Sequence, residues 1–367
     1  MEERVTALYA ASSGEFYDAP GFGALGRSGD DWRDLTPNDL MPLPEGADLM
    51  FLPQRRAVGR DRAGRAVPLP GSAVSAILPA GYTRLYLPAF QREKKAAALP
   101  LYGYTAVALY RDRLYAAAIR TDENDLWNPK HYNTHALKRC VRETMAALPN
   151  NRLVDHLAHC ALTYHCCTAQ NLFYHRWEAG IPASPACNAN CLGCISLQPA
   201  ECCPSPQERI NFAPTAEEMA AIGTYHLSTA PKAIVSFGQG CEGEPSLAAE
   251  TIAESIRRMR AKTTAGQINM NSNAGYTAGI KKIVDAGLDS LRVSMTSADS
   301  SNYASYYRAQ YALEEVKASI RYALENKVYV SLNLLYFPGF NDRMDEAAAW
   351  RSFLRELPVQ MIQVRNL

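Results

Sequence analysis

No run of this 367-residue chain approaches eighteen uncharged apolar residues, so no segment has the length of a membrane-crossing helix. The start, MEERVTALYAASSG, lacks the basic opening and apolar stretch of a signal peptide. A cytoplasmic location is therefore expected, with no membrane partner. An excess of charge of one sign is missing too: 38 Lys and Arg stand against 37 Asp and Glu, a formal net charge of +1. That argues against a broad electrostatic footprint for nucleic acid, because phosphate contacts need clustered Lys and Arg. Cysteine, by contrast, is plentiful at ten. In a reducing compartment metal binding or catalysis explains such a number better than disulfides do. The 47% apolar and 20% charged residues fit a globular chain with a real core, long enough for two domains.

Residues 1–130 read as a β-rich N-terminal domain of unknown role. Its runs RVTALYAA, DLMFLP, AVSAILPAGYTRLYLP and YTAVALYRDRLYAAAIRT are rich in β-branched and aromatic residues, and GRDRAGR and RDR read as hairpin turns. The Gly- and Pro-rich piece from Ser13 to Glu45 reads as loop. Residues 131–180 turn helical: one helix is expected to start at an Asn cap in NTHALKRCVRETMAAL, and a second is NNRLVDHLAHCALTYH. From 181 to 367 strand-like KAIVSF, QINMNSN, SLRVSMTS, VYVSLNLLYF and VQMIQVRN alternate with amphipathic helices. Ile252, Ile256 and Met259 share one helix face, as do Ile280, Ile283 and Val284, and Leu313, Val316, Ile320 and Leu324. Such alternation means βαβ units and a parallel sheet.

Those strands are polar on one side. Asn269, Asn271 and Asn273 alternate with Ile268 and Met270; Arg292, Ser294 and Thr296 alternate with Leu291, Val293 and Met295. Ser331 and Asn333, then Gln363 and Arg365, continue the pattern. The apolar side must meet the helices, so the polar side faces inward, where a barrel normally packs branched apolar residues. Polar inner faces on successive strands point to a polar ligand or water, the plainer alternative being a wetter core closed by its own hydrogen bonds.

PACNANCLGCISLQ sets Cys187, Cys191 and Cys194 at C-x3-C-x2-C spacing, with no fourth cysteine at a matching distance. Three thiolates in one loop suit an iron–sulfur cubane that leaves one iron open for a ligand. The alternative is a zinc loop completed by Cys202, Cys203 or a histidine. Further on, VSFGQGCEGEPSL places glycines and the carboxylate of Glu244 at a strand's C-terminal end, where ligands bind in parallel α/β barrels.

Together these two motifs make residues 181–367 resemble the radical S-adenosylmethionine (radical SAM) superfamily. The resemblance implies a partial (β/α)6 TIM-like barrel and an oxygen-sensitive enzyme. It implies a 4Fe–4S cluster on Cys187, Cys191 and Cys194, whose open iron chelates S-adenosylmethionine. It maps the cofactor's amino-group site onto Gly243 and Glu244 and a third-strand motif onto Ser272 and Asn273. A ribose-side serine maps onto Ser294, and inward Asn333 and Gln363 complete the expected cofactor set. Reduction of the cofactor would then yield methionine and a 5′-deoxyadenosyl radical that abstracts hydrogen from a small molecule, peptide or protein. The electron donor would be a flavodoxin or ferredoxin. One departure is Gly193, where the family usually has a bulky residue against the adenine; Ile195 or Tyr336 would have to replace it.

Other features stay open. Cys166, Cys167, Cys202 and Cys203 could serve an auxiliary cluster, and His156, His159 and Cys160, with His165 nearby, share a helix face that a satisfied core explains as simply. Cys241 is a hydrogen-atom donor or a bystander. An RNA-modifying radical SAM enzyme is the alternative function, and a non-enzymatic iron–sulfur or zinc protein a third. The sequence stops on a strand without its helix, which raises the expectation of a further C-terminal segment.

Overall fold

The structure is a computed structural model that describes residues 4–198 and 205–366. Between Thr6 and Ala116 the chain forms a ten-stranded sheet whose pairings are all antiparallel. Both expected hairpin turns form. Asp61 N–H donates to Arg65 O at 2.9 Å, closing the first, and Arg111 and Asp112 both take positive φ in the second. The reading of Ser13–Glu45 as loop is corrected: Phe16–Ser28 is a thirteen-residue strand, followed by Asp31–Asp34 and Met41–Pro42. Here glycine supplies close approach rather than a break. A Cβ on Gly26 would lie 2.6 Å from the Cβ of Tyr86, so the neighbouring chain packs directly onto the strand.

Three helices follow, Leu137–Ala147, Arg152–Leu162 and Cys167–Phe173. Asn151 caps the second, accepting from the N–H groups of Leu153 and Val154. The Asn cap expected for the first is absent: its N-cap is Ala136, and Asn133 adopts positive φ. Asn133 Oδ1 instead accepts from Gln170 Nε2 at 2.7 Å, which ties the connector together.

Apart from a two-stranded pairing of Tyr82–Arg84 with Ala118–Arg120, the remaining strands are Glu178–Gly180, Ile234–Phe237, Gln267–Ser272, Ser290–Met295, Tyr329–Leu335 and Met361–Arg365, called first to sixth below. They pair in that order and all in parallel. Right-handed crossovers in a sheet whose order never reverses put every helix on one face and leave the other as an inner surface. The helices at Ala216–Thr229, Ala249–Lys262, Thr277–Asp285, Leu313–Glu325 and Met344–Glu356 are those crossovers. Ile252, Ile256, Met259, Ile280, Ile283, Val316 and Ile320 are fully buried against the outward Ile268, Met270, Leu291, Val293, Val330 and Leu332. Each such aliphatic side chain contributes about 1.5–3 kcal/mol of burial, which fixes strand phase. The inner face is therefore left to the polar set.

The β-rich domain docks on the C-terminal ends of the fifth and sixth strands. Arg84 N–H donates to Asn366 Oδ1 at 3.0 Å, Asn366 Nδ2 donates to Tyr82 O at 3.0 Å, and Gly29 N–H donates to Pro338 O at 2.9 Å. No helix among the described residues is long and apolar enough to cross a membrane.

Candidate active site

Cys187, Cys191 and Cys194 lie in the loop after the first strand and all face one cavity of about 510 Å3. The loop is held by the segment that follows the fourth strand. Asn190 and Leu192 donate their N–H groups to the carbonyls of Tyr307 and Tyr306, at the end of the helix Ser300–Tyr307. Helix-end carbonyls lack intrahelical partners, so they are free to accept. Among the described residues the three thiols do not make a group with all ligand atoms within 4.8 Å of one another; a single such group exists, elsewhere. A tetrahedral ion with bonds of about 2.3 Å draws its sulfurs roughly 3.8 Å apart. A cubane holds one cysteine on each of three irons and needs the wider spread. The donor set therefore fits a cluster better than one zinc ion. Cys202 and Cys203, offered as completing zinc ligands, lie outside the described residues.

The thiols differ. Burial pushes Cys187 up and Cys191 up to about 12. Burial acts on Cys194 in the same sense, but hydrogen bonding by Ser196 and the Arg209 guanidinium outweigh it and bring that thiol down. Arg209 Nη2 approaches Cys194 Sγ at 3.6 Å while its Nε donates to Ser196 Oγ at 3.1 Å.

The loop after the second strand is stitched to the cysteine loop. Gly243 N–H donates to Ser184 O and Glu244 N–H to Ala186 O, both at 2.7 Å. A Cβ on Gly243 would fall 2.0 Å from that same Ala186 carbonyl, so only glycine fits. Glu244 is 3% exposed and lines the cavity. Its Oε1 accepts from Ser272 Oγ at 2.5 Å and Ser246 N–H at 3.0 Å, and its Oε2 accepts from Asn273 N–H at 2.8 Å. Burial raises its carboxyl, opposed by these three donors. Asn273 Nδ2 reaches across to Asn188 Oδ1 in the cysteine loop at 2.7 Å.

Ser294 and Asn333 are Cα partners on adjacent strands and both line the cavity. Asn333 Oδ1 is buried without a hydrogen-bond partner, as are Arg292 Nε and Arg365 Nε on the same wall. Orphaned buried polar atoms around one cavity are what a polar ligand satisfies. Gln363 does not line it; its Oε1 accepts from Arg292 Nη1 at 2.8 Å. Ile195 lines the cavity, whereas Tyr336 bonds Asp342 and stands outside it.

Three features were missed in the sequence. Glu242 is fully buried, and its carboxylate accepts from the N–H groups of Ala183, Ser184, Gly238 and Gln239 at 2.7–2.9 Å, pinning the ends of the first two strands together. Burial pushes its carboxyl up to about 7 against those four donors. Tyr306, packed beside the cysteine loop, lines the cavity; the only signal was the tyrosine density of SNYASYYRAQY. Cys241 meets Cys160 and His156, whereas His159 is exposed against Tyr164 and the nearby His165 bonds Asn133, so only two of the three residues expected on that helix face come together with Cys241.

Residues 181–350 match the family model described as the radical SAM superfamily. No curated protein matches the sequence. Among solved structures, anSMEcpe with bound AdoMet is 15% identical over 52% of this chain and 51% of that one, with a TM-score of 0.40. Streptococcus suis SuiB bound to precursor peptide SuiA is 13% identical over 59% and 43%, at 0.41. A radical SAM methyltransferase from Sphaerobacter thermophilus is 18% identical over 52% and 55%, at 0.38. The chain thus spans about half the length of these structures.

Proposed function

Residues 181–350 are a radical SAM superfamily domain, and on that premise we propose that this chain is an enzyme that cleaves S-adenosylmethionine reductively. The single observation that carries the reading is that Cys187, Cys191, Cys194 and Glu244 face one cavity while main-chain bonds lock their two loops together. The superfamily's cofactors are a 4Fe–4S cluster and S-adenosylmethionine, which when bound supply a 5′-deoxyadenosyl radical. The cysteines would hold the cluster. Glu244, already kept in place by Ser272 and Asn273, would accept a hydrogen bond from the cofactor's ammonium group. Ser294 and Asn333 offer polar atoms to the nucleoside, and Tyr306 offers the aromatic surface that Gly193 lacks. The docked β-rich domain covers the C-terminal ends of the fifth and sixth strands beside that cavity. The electron would come from a flavodoxin- or ferredoxin-like donor. Anaerobic reconstitution and assay of 5′-deoxyadenosine tests the reading.

Arg292 and Arg365 bear on the substrate. Both also line a second cavity of about 330 Å3, beside Glu178, Trp127 and Pro79 of the β-rich domain. Two guanidiniums against the one carboxylate of Glu178 leave an uncompensated positive charge in a buried wall. A substrate with a carboxylate or phosphate group would balance it. Metabolite profiling with wild-type protein should show consumption of anionic species that Arg365→Gln spares while still cleaving the cofactor. Loss of cleavage itself in that variant would move Arg365 into the cofactor site.

Asn273 and Ser294 should separate. Ser294→Ala should keep the melting temperature of the cofactor-free protein and lose much of the shift that S-adenosylmethionine induces. Asn273→Ala should melt early, because it strands Asn188 and the Gly275 N–H at a cost of roughly 1–3 kcal/mol. Equal behaviour of the two variants in thermal unfolding would contradict this division.

A further inference from the structure

We propose that His156, Cys160 and Cys241 bind a divalent ion of the zinc class in the wall of the active-site cavity, at a site separate from the cysteine triad. Their ligand atoms all lie within 4.8 Å of one another, and His156 Nε2 is already 3.6 Å from Cys160 Sγ. Ligand atoms around tetrahedral zinc sit roughly 3.3–3.8 Å apart, so small side-chain rotations close the site. Two thiolates and an imidazole are a donor set that selects borderline-soft ions over magnesium or calcium.

The ligands sit on elements that are fixed for other reasons. His156 and Cys160 are i and i+4 on the helix Arg152–Leu162, and therefore share a face. That helix is capped by Asn151 and anchored by the Arg152–Glu218 ion pair at 2.7 Å. Cys241 lies between Gly240 and the pinned Glu242, and its carbonyl accepts from Ile210 N–H at 2.7 Å. Neither partner element would have to move for an ion to bind.

Buried cysteines often serve only as small apolar fillers. Here Cys160 is 1% and Cys241 6% exposed and both pack into the apolar core, yet both also line the cavity that the cysteine triad faces. Three protein ligands with the fourth position turned to a cavity is the pattern of an open zinc site, able to take a water or a substrate heteroatom. Cys166 lines the same cavity, and its N–H donates to Cys160 O at 3.0 Å, so a third thiol is also at hand. An ion there would orient a substrate against the radical-generating end without taking part in cluster binding.

The test uses full-length protein in which Cys187, Cys191 and Cys194 are replaced by serine, so that no iron cluster contributes absorbance. Titrated anaerobically with Co2+, the folded protein should retain about one ion per chain and show thiolate-to-cobalt charge-transfer absorption. Adding Cys160→Ser or Cys241→Ser should weaken retention at least roughly tenfold, and His156→Ala should shift the ligand-field bands. A folded protein without the charge-transfer band overturns the site, as does a band that survives both serine changes. If the triple variant does not fold, zinc content decides the matter in the wild-type background: it should fall from about one equivalent to near zero in Cys160→Ser and Cys241→Ser. Unchanged zinc there rejects the proposal. Neither readout depends on cofactor cleavage, so this site and the proposed activity fail separately.

Discussion

Alanine at Cys187, Cys191 or Cys194 will reduce reconstituted iron from about four per chain to a small fraction and bring 5′-deoxyadenosine formation to background. In the proposed assignment each thiol would hold one iron of a three-ligand cubane, so the loss of any one should be felt. The loop itself should survive the change. Its main chain is fixed by the Tyr306 and Tyr307 carbonyls, by Gln310 N–H donating to Asn188 O, and by the bonds to Gly243 and Glu244, none of which uses a sulfur. Loss of iron with an unchanged far-ultraviolet spectrum therefore reports on ligation rather than folding. Full iron content in all three variants would reject the assignment, and a zinc content that falls by about one per chain in each variant would restore the zinc alternative.

Glu244→Gln will weaken S-adenosylmethionine binding about 10- to 150-fold while the cluster still assembles. That range corresponds to about 1.5–3 kcal/mol for a charge-assisted hydrogen bond to an ammonium group. The structure adds a second effect. Both carboxylate oxygens already accept from Ser272, Ser246 and Asn273, so the glutamine amide must set an NH2 against one of these donors. The variant should therefore also melt at a lower temperature. Equilibrium binding to the reconstituted variant, with iron content as the control, separates the two effects. An affinity within a factor of two of wild type would remove Glu244 from the amino-group role.

The readable parts of this protein were those governed by local period. Ile268 and Met270 against Asn269 and Asn271 settled which face of the third strand turns inward, because a one-residue slip would bury both asparagines under a helix. Helix faces such as Ile252–Ile256–Met259 were legible for the same reason. Composition misled where glycine serves packing: the strand Phe16–Ser28 holds three glycines and a proline, yet pairs with the strand Asp48–Arg60 and others. Contacts between distant segments left no local signal. Nothing in HLAHC and GQGCEGEP reveals that Cys160 and Cys241 meet, since that depends on how the connector packs against the sheet. Glu242 was equally hidden; its role follows from four N–H groups that only the assembled strand ends bring together.

The most direct measurement is 5′-deoxyadenosine formation by anaerobically reconstituted, chemically reduced protein supplied with S-adenosylmethionine. The account predicts release that tracks cluster content across preparations and disappears in the Cys191→Ala variant. Protein that holds a reduced cluster with four irons, yet neither binds S-adenosylmethionine nor yields 5′-deoxyadenosine, would contradict it.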